Sequence, residues 1–146
     1  MTTPTHILAG LVIGKMTGHY AAAIIASNIM DLDHLLAYRR GGVLFKPLQM
    51  FKHMTEPKDM LGDQRGIFHN VFVAAAICVL AAWLMPAIGV TVTAAYFLHL
   101  LFDALDGSRY WPFYPNQTIE LNGPVSYCTW KEGALALGLV LAFFVV

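Results

Sequence analysis

The chain is short of charge. Asp, Glu, Lys and Arg make up only 12% of its 146 residues, where a soluble globular domain carries about a quarter. Apolar residues reach 58% and the mean hydropathy is +0.60. So little polar surface cannot cover a water-soluble fold of this size, and lipid must solvate much of it. Formal net charge is zero with histidine neutral, which leaves no electrostatic case for a nucleic-acid partner. Cysteine is almost absent. Cys78 sits inside an apolar run and Cys128 follows a polar loop, so neither a disulfide framework nor a thiolate zinc motif can be built. No Lys or Arg precedes the first apolar run, so residues 1–25 are not expected to be cleaved as a secretory signal. There is no internal repeat, and the length suits one membrane-embedded domain over residues 1–146.

What the chain has is long apolar runs. One extends from about Ile7 to Met30, interrupted by Gly14-Lys15-Met16-Thr17-Gly18-His19; a second covers Gly66 to Ile88. After Pro86 and Gly89 the pattern returns over Val90 to Leu105, and a last run occupies Gly133 to Val146. The second is long enough to cross a hydrocarbon core of about 30 Å at about 1.5 Å per residue. In lipid the backbone must satisfy its own hydrogen bonds, and these unbroken runs lack the alternation of barrel strands, so they are read as helices. The polar interruption at Gly14 to His19 suits a turn better than mid-bilayer. The expected fold class is therefore all-α, a polytopic membrane helical bundle of about five helices with an N-terminal helical hairpin. Residues 37–65 carry six of the nine basic residues, which places that loop in the cytoplasm by the positive-inside rule. Tyr110-Trp111-Pro112-Phe113-Tyr114 reads as an interfacial anchor.

With the hairpin, the ionisable residues collect at one membrane face. His6 begins the first helix, Asp31, Asp33 and His34 end the second, and Arg65 and His69 begin the third. His99, Asp103 and Asp106 occupy the closing turns of the fourth. His99 and Asp103, four apart, share a helical face and could ligate one cation. An Asp at a helix centre costs roughly 2.5–3.5 kcal/mol on insertion scales, less near an interface, so something must compensate for their burial. A divalent metal would do so. Imidazole with carboxylate suits zinc (Zn2+), and also Mn2+ or Fe2+; one to three ions are expected.

Thr5-His6, Asp31-Leu-Asp-His34, Arg65-Gly66-Ile-Phe-His69 and His99-x-x-x-Asp103 followed by Trp111-Pro112-Phe113 resemble the YdjM family, in order, over about residues 4–115. That family comprises LexA-regulated inner-membrane proteins regarded as metal-dependent hydrolases. It usually reads His-Arg-Gly-x-x-His-Ser at the third motif, where this chain has Gln64 and Asn70 at the first and last positions. The order of His and Asp ligands is also distantly similar to the zinc phospholipase C and S1-type nuclease pattern. The resemblance implies a multi-pass protein of the inner (plasma) membrane and a hydrolytic site. His6, Asp33, His34, His69, His99 and Asp103 are the expected metal ligands. Arg65 is expected to hold a phosphate oxygen, and Asp31 or Asp106 to orient an imidazole or act as base. A site at the cytoplasmic interface favours a lipid or lipid-linked phosphoester as substrate, cleaved by a metal-activated water. Two other classes stay open: divalent-cation or proton transport, and a nonenzymatic membrane adaptor. The oligomeric state is not legible.

Overall fold

Gly18 turns the first apolar run back on itself. It closes helix α1 (Thr3–Thr17) with φ +78°, a left-handed conformation that glycine adopts without steric cost, and α2 (Tyr20–Asn28) follows. The two helices pack as a hairpin. Gly10 lets their backbones meet, since a Cβ there would lie 2.5 Å from Ser27 Oγ and 3.0 Å from Ile24 Cα. The expected hairpin is present, with its turn at the end of the anticipated window.

The computed structural model describes the backbone of residues 1–55 and 65–146. Among these the protein is all-α, without strands beyond two isolated bridges, Asp106 to Val125 and Tyr110 to Leu121. A 3-10 turn, Ile29–Asp31, leads into α3 (Leu32–Arg40), and α4 (Pro47–Thr55) lies further on. A second 3-10 turn, Ile67–His69, precedes α5 (Val71–Leu84), which is followed by α6 (Pro86–Leu105) and α7 (Trp130–Val145). The described helices outnumber the five or so expected because α3 and α4 form where the end of the second helix and a polar loop were read. The boundary between α5 and α6 is set locally. Met85 leaves helical geometry and Pro86, which has no N–H to donate, restarts the chain as the first residue of α6. The second apolar run, expected to reach Ile88, therefore ends as a helix at Leu84, and its last residues already belong to α6.

Helix α6 is the centre of the bundle, packed against α1, α2 and α5, with α7 laid on α1. Alanines make the closest contacts: Ala23, Ala26 and Ala95 form one fully covered cluster with Ile13 and Val92 at its edge. Met30, Ala74, Cys78, Tyr96, Leu100 and Tyr110 form another. At the far end Lys15 donates to the Phe143 carbonyl and lies over that residue's ring, tying α1 to α7. The polarity of the molecule is reversed relative to a water-soluble domain. His6, Asp33, Arg65, His69, His99 and Asp103 are buried, while Phe72, Val79 and Trp83 of α5, Val90 of α6 and Phe144 of α7 are exposed. Contiguous apolar faces of this kind mark contact with lipid or a partner. Of the described helices, α6 alone is long and apolar enough to cross a membrane, at 20 residues and a mean hydropathy of 1.6; α5 is apolar but shorter.

Candidate metal centre

Six side chains from five places in the sequence bring ligand atoms into one layer at the end of the bundle. His6 comes from the first turns of α1, Asp31 from the first 3-10 turn and His34 from the first turn of α3. His69 closes the second 3-10 turn, and His99 and Asp103 lie one helical turn apart on α6. They form three overlapping groups: His6, Asp31 and His99; Asp31, His34 and His69; and His69, His99 and Asp103. Within each group the ligand atoms lie within 4.8 Å of one another. Individual separations are shorter. His99 Nε2 is 3.4 Å from His69 Nε2, 3.6 Å from Asp103 Oδ2 and 3.7 Å from Asp31 Oδ1. His69 Nε2 lies 3.1 Å from Asp103 Oδ2, and His34 Nε2 lies 3.6 Å from Asp31 Oδ1. Ligands about 2.1 Å from a tetrahedral cation stand about 3.4 Å apart, so these are the separations such an ion needs.

The imidazoles are aimed from behind. His99 Nδ1 donates to the Ser27 carbonyl at 2.7 Å, so its proton is fixed on Nδ1 and the Nε2 lone pair faces the layer. His69 Nδ1 meets Asp33 Oδ2 at 3.1 Å, and the same oxygen accepts the Phe68 N–H at 2.8 Å. A carboxylate behind a histidine is the arrangement that orients metal-ligating imidazoles. The His69 segment is clamped in turn: Tyr110 Oη donates to the His69 carbonyl and Tyr96 Oη to the Phe68 carbonyl, each at 2.7 Å. Asn70 caps α5 by accepting the Phe72 and Val73 N–H groups. His6 stacks on His99 with ring centroids 3.7 Å apart.

The donor set asks for a cation. Both nitrogens of His6, Nδ1 of His34 and Oδ2 of Asp31 are buried without a hydrogen-bond partner. Leaving such groups unmatched costs about 1–3 kcal/mol each, and a metal ion would engage several at once. Nitrogen and carboxylate donors without thiolate fit zinc, manganese or iron(II).

Arg65 is fully spent within the protein. Its Nε and one terminal nitrogen form a fork on Asp103, at 2.9 and 3.3 Å. The latter nitrogen also donates to Asp106 at 2.7 Å, and the other donates to the carbonyls of Ser108 and Arg109. Those contacts use all five guanidinium N–H groups. The amino group of Met1 also reaches Asp103 and Asp106. Burial disfavours the charge on Arg65, but Asp103 and Asp106 outweigh it and hold its pKa above the usual value. Burial pushes the pKa of the His34 imidazole well below the ordinary range, and the nearby His69 adds to that, which favours its neutral form. His69 is the opposite case. Burial lowers it, yet the hydrogen bonds it donates to Asp103 and Asp33 raise it overall, so a proton competes there with any metal.

All nine sequence-predicted site residues fall in this region, but not in the expected arrangement. Asp33 stands behind His69 and belongs to none of the three ligand groups, whereas Asp31 belongs to two. Asp33 and His34 open α3 instead of ending α2. Arg65, expected to reach for a phosphate, has no donor left for one in this arrangement. Asp106 caps α6 and pairs with Arg65, away from the ligand groups. Gln64 lies outside the described residues. Three supporting residues are invisible to spacing arguments. Ser27 acts through its carbonyl. Tyr110, expected at the interface, is buried against His69. Glu132, in the first turn of α7, accepts from Thr2, Thr5 and Cys128 and fastens α7 to the start of α1. A carboxylate in the first turn of a helix that is apolar beyond it is the one available signal for Glu132.

No curated protein and no solved structure matches the chain. It does match the YdjM inner membrane protein family over residues 1–146, and the protein belongs to that family.

Proposed function

We propose that the protein is a membrane-embedded, metal-dependent hydrolase that cleaves a phosphoester of a lipid or lipid-linked substrate at the cytoplasmic face. The observation that carries this reading is the set of buried imidazoles whose rear nitrogens are held by Ser27 and Asp33 while their front nitrogens converge. Such a layer is pre-oriented for a divalent cation, most simply Zn2+, with Mn2+ or Fe2+ as alternatives. When bound, the cation supplies Lewis acidity and acidifies water. The chain's own part is to aim His69 and His99 from behind and to hold Asp103 in the Arg65 fork.

The bundle would be multi-pass, with α6 crossing fully and the shorter α5, α7 and α1–α2 hairpin embedded beside it. Arg39 and Arg40 close α3, the helix that carries His34 in its first turn, the basic stretch continues with Lys46 and Lys52, and the positive-inside rule assigns that end to the cytoplasm. Placement at that height favours a headgroup phosphate over a soluble ester.

The test uses purified protein in detergent. Release of a chromophore from a phosphodiester, and of headgroup from phospholipid vesicles, should stop on chelation, return with added Zn2+ and be lost in His99→Ala. Elemental analysis should find bound divalent metal, diminished in His99→Ala and Asp103→Ala. A preparation that binds metal but hydrolyses neither substrate, and instead carries the ion into liposomes, would replace the enzyme with a transporter.

A further inference from the structure

The three ligand groups cannot all be filled at once, and the reason is a count of lone pairs. His69 gives its Nδ1 to Asp33 and His99 gives its Nδ1 to Ser27, so each has one nitrogen left for a metal. A nitrogen lone pair serves one ion. The group of His69, His99 and Asp103 needs both of those nitrogens, so filling it empties the other two groups of a ligand each. The other two groups, by contrast, share only Asp31. A carboxylate has two oxygens and can serve two ions together. The layer therefore admits one ion at His69, His99 and Asp103, or one or two ions in the groups that share Asp31, and never three.

The unmatched atoms choose between these. Every buried orphan in the layer belongs to His6, Asp31 or His34, and none of those residues is in the single-ion group. Asp103, the carboxylate of the single-ion group, already carries the Arg65 fork on both oxygens. A lone ion there would add charge where it is already balanced. It would also leave His6, 1% exposed, with no hydrogen bond on either nitrogen and Asp103 Oδ1, 3.6 Å from its Nε2, already committed to Arg65 and the Met1 amino group.

We infer that the protein holds a pair of divalent cations, one bound by His6, Asp31 and His99 and the other by Asp31, His34 and His69, with Asp31 bridging them and Asp103 reserved for Arg65. This rests on the metal-dependent reading above and specifies the nuclearity of the same site. It also gives a role to Asp31, at the junction of two helical segments and the one residue common to both groups.

The experiment is a metal count and a spectrum on the full-length protein in detergent, loaded with Zn2+ or Mn2+ and freed of excess by gel filtration. About two ions per chain are expected, falling to about one in His6→Ala and in His34→Ala. With Mn2+, the paramagnetic resonance of wild type should be broadened and weakened per ion by exchange through the bridging carboxylate. Asp31→Asn should lose that coupling. The wild-type count and spectrum need no variant to fold. One uncoupled ion per chain, kept in His6→Ala and His34→Ala, would overturn the pair and leave a single-metal site standing. No retained ion would overturn the pair and the metal-dependent reading together.

Discussion

At the scale of single residues the site is governed by what stands behind each ligand. Ser27 and Asp33 never enter the ligand groups, yet they decide which nitrogen of His99 and His69 is available. Flanked by Asp33 and Asp103, His69 keeps its proton to higher pH than a free imidazole, whose pKa is about 6.5. Metal must displace that proton. Its apparent affinity should therefore rise by up to about tenfold per pH unit from about pH 6.5 upward, levelling off only above the raised value. Competition titration against a chromophoric chelator would measure this. Asp33→Asn removes one of the causes that raise His69 and should move the plateau to lower pH. An affinity that is flat over that range would mean His69 is not a ligand.

At the scale of elements, Arg65 joins the segment before α5 to the end of α6 and to the loop after it. It is buried with two carboxylates, and a buried pair broken on one side leaves an uncompensated charge. Arg65→Ala should destabilise the protein by about 3–5 kcal/mol, read as a drop in the thermal midpoint in detergent. Arg65→Lys should recover only part, because an ammonium cannot reproduce the planar fork. A variant as stable as wild type would show that the Asp103 and Asp106 carboxylates find other partners. The α1–α2 hairpin was legible at this scale because Lys15, Thr17, Gly18 and His19 interrupt an apolar run together. The break at Met85 was harder to place. Pro86 is as compatible with the end of one helix as with the start of the next, and only the geometry of Met85 shows which.

At the scale of the whole molecule, charged and apolar residues are sorted by depth. The His/Asp layer and the loop that follows Asp106 share one end, and Lys15 and His19 lie at the other. Cys128 is exposed near the site end, whereas Cys78 is buried in α5. A membrane-impermeant maleimide should therefore label Cys128 in inverted inner-membrane vesicles and not in intact spheroplasts, with Cys78 silent in both. Labelling only from the outside would invert the proposed orientation.

The sequence by itself determined the all-α class, the collection of His and Asp at one end, and the family, because apolar runs and residue types are local properties that survive without coordinates. It also made His99 and Asp103 a pair, since helical periodicity places residues four apart on one face. The tertiary structure alone decided which carboxylate faces the ligands. Asp31 and Asp33 are two residues apart in a stretch that passes from a 3-10 turn into α3, and there a small change in backbone path exchanges the inner and outer side chain. It alone decided, too, that Arg65 is consumed inside the protein, because its five acceptors come from residues 103 to 109, brought to it only by the packing of α6.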